Sequence, residues 1–157
     1  MEAEADWDHL HSPETYLGYE RGERFDSTDG AALGERRAYE HPERLQVNHW
    51  ALAGEWTIGP ENVVLERAGG SIAHRLRARD AHLVLSPGVR EAIPFRVLVD
   101  GEAPGRAHGV DVGEDGTGLL RDGRLYQLVR EQDAVRERTL EITFLEPGAE
   151  AYVFTFG

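Results

Sequence analysis

Apolar and polar residues alternate along most of the chain after residue 44, and this pattern predicts β-strands. The clearest run is residues 71–79, where Ile72 and Leu76 fall on one face and Arg75 and Arg77 on the other. His74 shares the apolar face, which predicts a hydrogen-bonded histidine in the core. Further strands are predicted at residues 36–39, 50–58, 63–67, 81–85, 95–99, 109–112, 125–129, 139–145 and 151–156.

Glycine, proline, asparagine and aspartate separate these runs, as at Gly59-Pro60, Asp100-Gly101 and Pro147-Gly148. Residues 113–118 are rich in Gly and Asp and predict a loop. Strands spaced by about a dozen residues, with no helical period over three turns, are typical of a sandwich. The prediction is an all-β fold, an antiparallel β-sandwich of jelly-roll type over residues 44–157.

Residues 1–43 are less regular and are predicted to form an acidic N-terminal arm, partly packed on the sandwich. Ser12-Pro13 would suit the start of a helical turn, whereas the aromatic residues 15–19 favour a strand, so this element stays open.

Two tryptophans, Trp50 and Trp56, flank Gly54 within one predicted strand. A glycine between large aromatics in a strand indicates a bend or a close backbone approach. On an uninterrupted strand the two rings would share a face, which favours a place in the core over a surface that stacks on sugars.

The net charge of the chain limits the classes of ligand that it can bind. The 157 residues carry a formal net charge of −12, which argues against nucleic acid and anionic membranes as ligands. Residues 1–43 hold a net −8 of this and the remainder −4. No apolar stretch approaches the roughly 20 residues that span a bilayer, so no membrane insertion is expected. The first ten residues are acidic and unlike a secretory signal, so a free-standing chain would be cytoplasmic.

The residue types exclude several chemistries. The chain has no cysteine, and all 17 basic residues are arginine. Disulfides, thiolate metal sites, cysteine nucleophiles and Schiff-base lysines are therefore absent from this chain. No Gly-rich phosphate loop, GxSxG or HExxH motif is present either. A non-catalytic protein without an organic cofactor is expected.

The stripe Arg75, Arg77 and Arg79 is the leading candidate for recognition. Alternate residues of a strand stand about 7 Å apart on one face, and three guanidinium groups there require carboxylates or an anionic ligand. Asp80, Glu141 or the acidic arm are candidate internal partners. His82, on the next strand, is a weaker candidate, and the aromatic rings of Trp7 and Tyr126 are candidates for stacking on a sugar.

Two sets of residues are candidate metal sites. Asp111, Asp115 and Asp122 occupy positions 1, 5 and 12 of a calcium-loop pattern with Gly116 at position 6. Position 3 is glycine, so a plain Gly/Asp turn is the stronger interpretation, with a structural calcium as the alternative. The N-terminal group at residues 6–11 could bind a transition metal weakly, but a solvated arm fits it better.

Five stretches, in order along nearly the whole chain, carry a family resemblance: residues 12–21 (SPETYLGYER), 48–58 (NHWALAGEWTI), 68–85 (AGGSIAHRLRARDAHLVL), 124–130 (RLYQLVR) and 139–157 (TLEITFLEPGAEAYVFTFG). They resemble the C-terminal domain of DipZ-type cytochrome c biogenesis proteins and related redoxin-containing proteins. The resemblance implies a jelly-roll domain like a carbohydrate-binding module, placed after a thioredoxin-like domain, and an extracytoplasmic location in such a parent. The Cys-x-x-Cys of these parents lies in the thioredoxin-like part, so the resemblance carries no redox activity to this chain.

Three functions follow as hypotheses. The first is an accessory module, associated with a thioredoxin-like protein, that binds a saccharide. The second is a protein-docking module that positions a redox partner. The third is a jelly-roll lyase or isomerase, which would require His82, Arg77, Tyr126 and His108 to converge in one cleft.

Overall fold

A computed structural model describes residues 12–157, which contain eleven strands and one short 3₁₀ turn, Gly105–Ala107. The strands are β1 (Thr15–Tyr16), β2 (Arg36–Tyr39), β3 (Trp50–Ile58), β4 (Val63–Leu65), β5 (Ser71–Arg77), β6 (Asp80–Ser86), β7 (Ile93–Val99), β8 (Thr117–Leu120), β9 (Arg124–Arg130), β10 (Glu137–Phe144) and β11 (Glu150–Phe156). Among these residues no helix is long and apolar enough to cross a membrane.

The strands form one antiparallel path in the order β8-β7-β10-β5-β3-β4-β11-β6-β9, with β1 on β11 and β2 on β3. The path folds into two layers. Sheet I contains β8, β7, β10, β5 and the first half of β3, and sheet II contains the second half of β3 with β4, β11, β6, β9, β1 and β2. The predicted antiparallel β-sandwich is confirmed.

Strand β3 belongs to both sheets because it bends at Gly54. Residues 50–53 pair with β5, and residues 56–58 pair with β4. Gly54 has a φ of +95°, and a Cβ there would lie 2.8 Å from the Cα of Gly70. The positive φ and the close approach both require glycine, and they confirm the predicted bend.

The core lies between the two sheets and contains both tryptophans of β3. Trp50 is 2% exposed and Trp56 is fully buried. Their indole N–H groups donate to the carbonyl oxygens of Glu23 and Ala53 at 2.9 and 2.8 Å. Both rings are buried and both indole N–H groups are hydrogen-bonded, so the two tryptophans are core residues, as their spacing predicted.

The buried His74 of β5 faces the same core. Its Nε2 lies 3.0 Å from the hydroxyl of Thr15, and its ring packs against Phe154 and Phe156. The predicted hydrogen-bonded core histidine is therefore confirmed.

The structure corrects two sequence expectations. Residues 109–112 form a turn, preceded by a single bridge at His108, and the strand lies instead at Thr117–Leu120, beginning at the end of the predicted loop. Strand β5 ends at Arg77, so Arg79 is outside it. Within residues 12–43, β1 and β2 pair with the sandwich strands, and Leu17 is 1% exposed.

Candidate functional site

A cleft of about 640 Å³ lies on the outer face of sheet I, where the loop of residues 41–47 passes over the strands. We call it the Arg75 cleft. Seven of its eleven lining residues are polar or charged and four are apolar: His41, Pro42, Glu43, Arg44, Leu45, Gln46, Val47, Ala73, Arg75, Glu137 and Thr139. Two of the elements that form it, β5 and β10, are central strands of the sheet, so the floor is rigid.

Alternation along β5 and antiparallel register determine the floor. Ile72 and Leu76 face the core, which turns Ala73 and Arg75 outward. Pairing of β5 with β10 places Thr139 opposite Arg75. The short side chain of Ala73 leaves the space beneath the loop, and Arg75 supplies hydrogen-bond donors beside it.

Arg75 is held in place by β10. Its Nη1 donates to the Thr139 hydroxyl at 2.9 Å, and its Nε lies 3.6 Å from Glu137 Oε1. A guanidinium has five N–H groups, so donors remain for a ligand after these contacts. The partial compensation by Glu137 means that Arg75 needs no anionic ligand to be stable.

The other arginines of the predicted stripe lie elsewhere. Arg79 pairs with Asp80, its Nη2 lying 3.0 Å from Oδ2, so the prediction of Asp80 as an internal partner is confirmed. The prediction of Glu141 as a partner is wrong, because the register sets it opposite Ala73, and Glu137 takes its place. Only Arg75 of the three lines the cleft.

A cluster of three side chains ties the loop to the sheet at one end of the cleft. His41 Nδ1 lies 3.4 Å from Glu141 Oε2, and His41 Nε2 lies 3.3 Å from Ser71 Oγ. Ser71 Oγ also donates to the same Glu141 oxygen at 3.4 Å. Burial lowers the pKa of His41 against the opposing effect of Glu141, so the ring is neutral at neutral pH.

The same three residue types form hydrolase triads, but the arrangement here differs from one. In a triad the carboxylate contacts the histidine on the side away from the serine. Here Glu141 likewise contacts Nδ1 of His41 and Ser71 lies at Nε2, but the same Glu141 oxygen also accepts from the Ser71 hydroxyl. Ser71 is 6% exposed in a regular strand. We interpret the cluster as an anchor for the loop.

Tyr126 and His82, also predicted as binding residues, lie apart from this cleft. Tyr126 is 1% exposed, and its hydroxyl accepts from the backbone N–H groups of Arg121 and Asp122. It is therefore a core residue whose ring is closed to a sugar, which corrects that prediction. His82 lies on sheet II, 3.3 Å from the Thr155 hydroxyl. Trp7 lies outside the described residues.

The aspartates of the calcium pattern make turns and ion pairs. Asp111 accepts from Arg124 Nη2 and from the backbone N–H of Gln127, at 2.9 and 2.7 Å. Burial raises the pKa of Asp111, but these bonds outweigh it and lower the pKa overall. Asp115 accepts hydrogen bonds from the N–H and the hydroxyl of Thr117, and these bonds lower the pKa of Asp115. The Asp122 carboxylate takes part in none of these hydrogen bonds of Asp111 and Asp115.

Within residues 12–157 no group of three metal-ligating side chains forms. The geometry thus favours the plain Gly/Asp turn at Asp111, Asp115 and Asp122. The N-terminal residues 6–11, weighed as a weak metal site, lie outside the described part of the chain.

The residues of the lyase or isomerase hypothesis are dispersed. His108 Nδ1 contacts the backbone carbonyl oxygens of Gly109 and Val112 at 2.9 and 2.7 Å. Arg77 belongs to sheet I, His82 to sheet II and Tyr126 to the core. The required convergence in one cleft is not found among these side chains.

The fold and the cleft define a β-sandwich module with a groove on the outer face of one sheet. The family described as "Thioredoxin like C-terminal domain" matches residues 12–157, and the chain belongs to this family. Comparison with curated proteins finds no match in sequence.

Similar folds occur in carbohydrate esterases. A family two carbohydrate esterase from Cellvibrio japonicus matches with a TM-score of 0.52 and 11% identity, covering 69% of this chain and 30% of that one. A family two carbohydrate esterase from Clostridium thermocellum, solved in complex with cellohexaose, matches with a TM-score of 0.42 and 13% identity, covering 62% and 27%. The chain thus spans less than a third of either esterase. The first likeness supports the β-sandwich fold alone.

Proposed function

We propose that this chain is an accessory module that binds a hydroxyl-rich saccharide in the Arg75 cleft. The observation that carries the proposal is the lining of the cleft, in which both hydrogen-bond donors and acceptors surround a groove of about 640 Å³. That volume falls within the range of about 300–1,000 Å³ that ligand sites occupy. The groove has space for more than one sugar ring.

The charges in the cleft favour a neutral ligand. Arg44 and Arg75 are matched by Glu43 and Glu137, and His41 is neutral. Neighbouring sugar hydroxyls each donate and accept, so a wall carrying both guanidinium and carboxylate groups can bind them in pairs. A polyanion would meet the two carboxylates and a chain of net charge −12.

The protein context is part of the proposal. The sequence resemblance to DipZ-type proteins supports a thioredoxin-like domain or protein as the neighbour and an extracytoplasmic location. The dispersed His and Arg residues and the buried Ser71 support a non-catalytic role, in which the module brings a redox partner to a glycan-bearing surface.

The test is affinity electrophoresis of the whole chain in gels containing hydroxyethyl cellulose, xylan or arabinogalactan. At least one polysaccharide should retard the wild-type protein. Arg75→Ala and Thr139→Val should each reduce the retardation at least fivefold, because they remove the fixed donor and the hydroxyl that holds it. A wild-type protein that no polysaccharide retards would overturn the proposal.

Arg77→Ala is the matched control. It removes the same side chain from the same face of β5, two residues from Arg75 and outside the cleft. Retardation should stay at the wild-type level in this variant. If Arg75→Ala and Arg77→Ala lose retardation equally, the effect is one of net charge, which would contradict a specific binding site in the Arg75 cleft.

A second function, docking of a redox partner, is favoured by a row of apolar residues on the outer face of sheet II. Register aligns Tyr16, Val153, Val84 and Leu125 across β1, β11, β6 and β9. Leu125 is 40% exposed. Leu125→Asp should weaken association with a thioredoxin-like protein in surface plasmon resonance at least tenfold, and an unchanged affinity would exclude this role for the row.

A further inference from the structure

A second cleft lies on sheet II, and two tyrosine rings line it. It encloses about 250 Å³, between the segment after β1, the turn after β3 and the middle of β11. We call it the tyrosine cleft; its lining is Tyr16, Gly18, Glu20, Arg21, Pro60, Glu61, Tyr152 and Val153. We propose that the tyrosine cleft is a separate binding site for one ring of a neutral sugar, which goes beyond the function proposed for the Arg75 cleft.

Backbone contacts hold the walls of the tyrosine cleft rigid. The N–H of Leu17 donates to the carbonyl of Tyr152 at 2.9 Å, and the N–H of Glu20 donates to the carbonyl of Pro60 at 3.0 Å. Gly18 lies so close to the turn that a Cβ would overlap the backbone of Glu61. The cleft is therefore formed before a ligand arrives, which lowers the entropic cost of binding.

Arg21 stacks on the ring of Tyr16 and offers hydrogen-bond donors at the wall of the cleft. Its guanidinium carbon lies 3.7 Å from the centroid of the Tyr16 ring. Among residues 12–157 no carboxylate lies within ion-pair distance of it. Stacking uses the flat face of the guanidinium and leaves the N–H groups at its edge directed away from the ring. These donors are available to a ligand at the cleft wall.

The rest of the lining selects the class of ligand. Tyr16 and Tyr152 with Pro60 give apolar surface, which suits the C–H face of a pyranose. Glu20 and Glu61 add acceptors for hydroxyl groups and repel anionic sugars. The Tyr152 hydroxyl donates to Glu150 Oε1 at 2.9 Å, which fixes the ring. The small volume admits one ring, unlike the longer Arg75 cleft.

The two clefts lie on outer faces of opposite sheets, since Arg75 belongs to β5 of sheet I and Tyr152 to β11 of sheet II. One molecule would thus hold two glycan segments at once. Because the clefts face opposite directions, the two sites would bridge separate glycan segments and would not bind one flat surface together.

Saturation-transfer NMR on the full chain tests the tyrosine cleft. The probes are the methyl β-glycosides of glucose, galactose and N-acetylglucosamine, with methyl β-glucuronide as the anionic comparison. A neutral glycoside should receive saturation from the wild-type protein, and the glucuronide should receive at least fivefold less. No transfer to any neutral glycoside, or stronger transfer to the glucuronide, would overturn the proposal.

Two variants locate the signal. Tyr152→Ala and Arg21→Ala should each reduce it at least fivefold, and the surface position of Arg21 guards against a failure of Tyr152→Ala to fold. Tyr19→Ala, which removes a tyrosine 41% exposed outside the cleft, should leave the signal unchanged. Wild-type signal in both Tyr152→Ala and Arg21→Ala would refute the assignment.

Arg75→Ala separates this proposal from the proposed function. It should reduce polysaccharide retardation at least fivefold and leave the methyl glycoside signal unchanged. If the glycoside signal vanishes in Arg75→Ala and persists in Tyr152→Ala, the Arg75 cleft is the only sugar site and the tyrosine cleft is refuted.

Discussion

The buried His74 should make the stability of the sandwich depend on pH. Its ring is fully buried, Nε2 is hydrogen-bonded to Thr15, and Nδ1 has no hydrogen-bond partner among residues 12–157. Burial, with a smaller effect of Arg24, lowers its pKa from 6.5 to about 3. The folded protein therefore keeps this ring neutral down to pH values at which the unfolded chain protonates it.

The direction and size of this pH effect on stability follow from the difference in proton binding between the folded and unfolded states. Between pH 6.5 and pH 3 the unfolded state binds one more proton than the folded state, so stability falls as the pH falls. The stabilisation is complete above the unfolded pKa and is lost at roughly 1.4 kcal/mol per pH unit below it. Lowering the pH from 7.5 to 4.5 should thus cost about 3 kcal/mol from this residue.

Urea unfolding of the wild-type protein and of His74→Gln, at pH 7.5 and pH 4.5, measures this contribution. His41 and Asp111 also have lowered pKa values, so both proteins should lose stability in acid. Taking the difference between the two proteins cancels those losses. The wild type should lose about 3 kcal/mol more than His74→Gln.

Thr15→Val is the matched control because it removes the same hydrogen bond and leaves the histidine. It should lower stability at both pH values and retain the full acid loss of the wild type. Parallel losses in the wild type and His74→Gln would refute the argument that His74 is held neutral.

Four further substitutions test a close backbone approach, a buried hydroxyl and a buried ion pair. Gly54→Ala should lower the free energy of unfolding by about 2 kcal/mol or more in urea melts. Gly69→Ala is the control, because Gly69 has a φ of +91° but nothing lies within 4 Å of the added Cβ, and it should cost about 1 kcal/mol. Equal losses in the two variants would contradict the close approach at Gly54. Tyr126→Phe should cost about 1–3 kcal/mol by thermal denaturation, since two N–H groups lose their acceptor; an unchanged midpoint would contradict that role. Arg138→Gln should cost about 3 kcal/mol because Glu131, 8% exposed, loses its guanidinium; full stability would show that the pair contributes nothing.

Alternation predicted most of the fold, since one buried face imposes a period of two on each strand. It failed at β8, where Gly118 suggested a loop. A Cβ at Gly118 would overlap the ring of Phe95, so this glycine makes room for a core residue of the neighbouring strand. From one sequence alone, a glycine required for close packing looks the same as a glycine required for a turn.

The candidate site was predicted in part. The outward direction of Arg75 follows from β5 alone, but its partner depends on how β10 is aligned against β5. A shift of two residues would have placed Glu141 opposite Arg75, and nothing in the sequence of either strand decides between these registers. The loop over the cleft was missed because its position depends on the distant contacts of His41 with Ser71 and Glu141.

The passage of β3 from one sheet to the other limits how the molecule can deform. Because the same backbone is hydrogen-bonded to β5 before Gly54 and to β4 after it, one sheet cannot shear over the other without breaking those bonds. Ligands must therefore be accommodated by the loops alone. Amide hydrogens of β3 should exchange only through global unfolding, while those of residues 41–47 should exchange through local opening of the cleft.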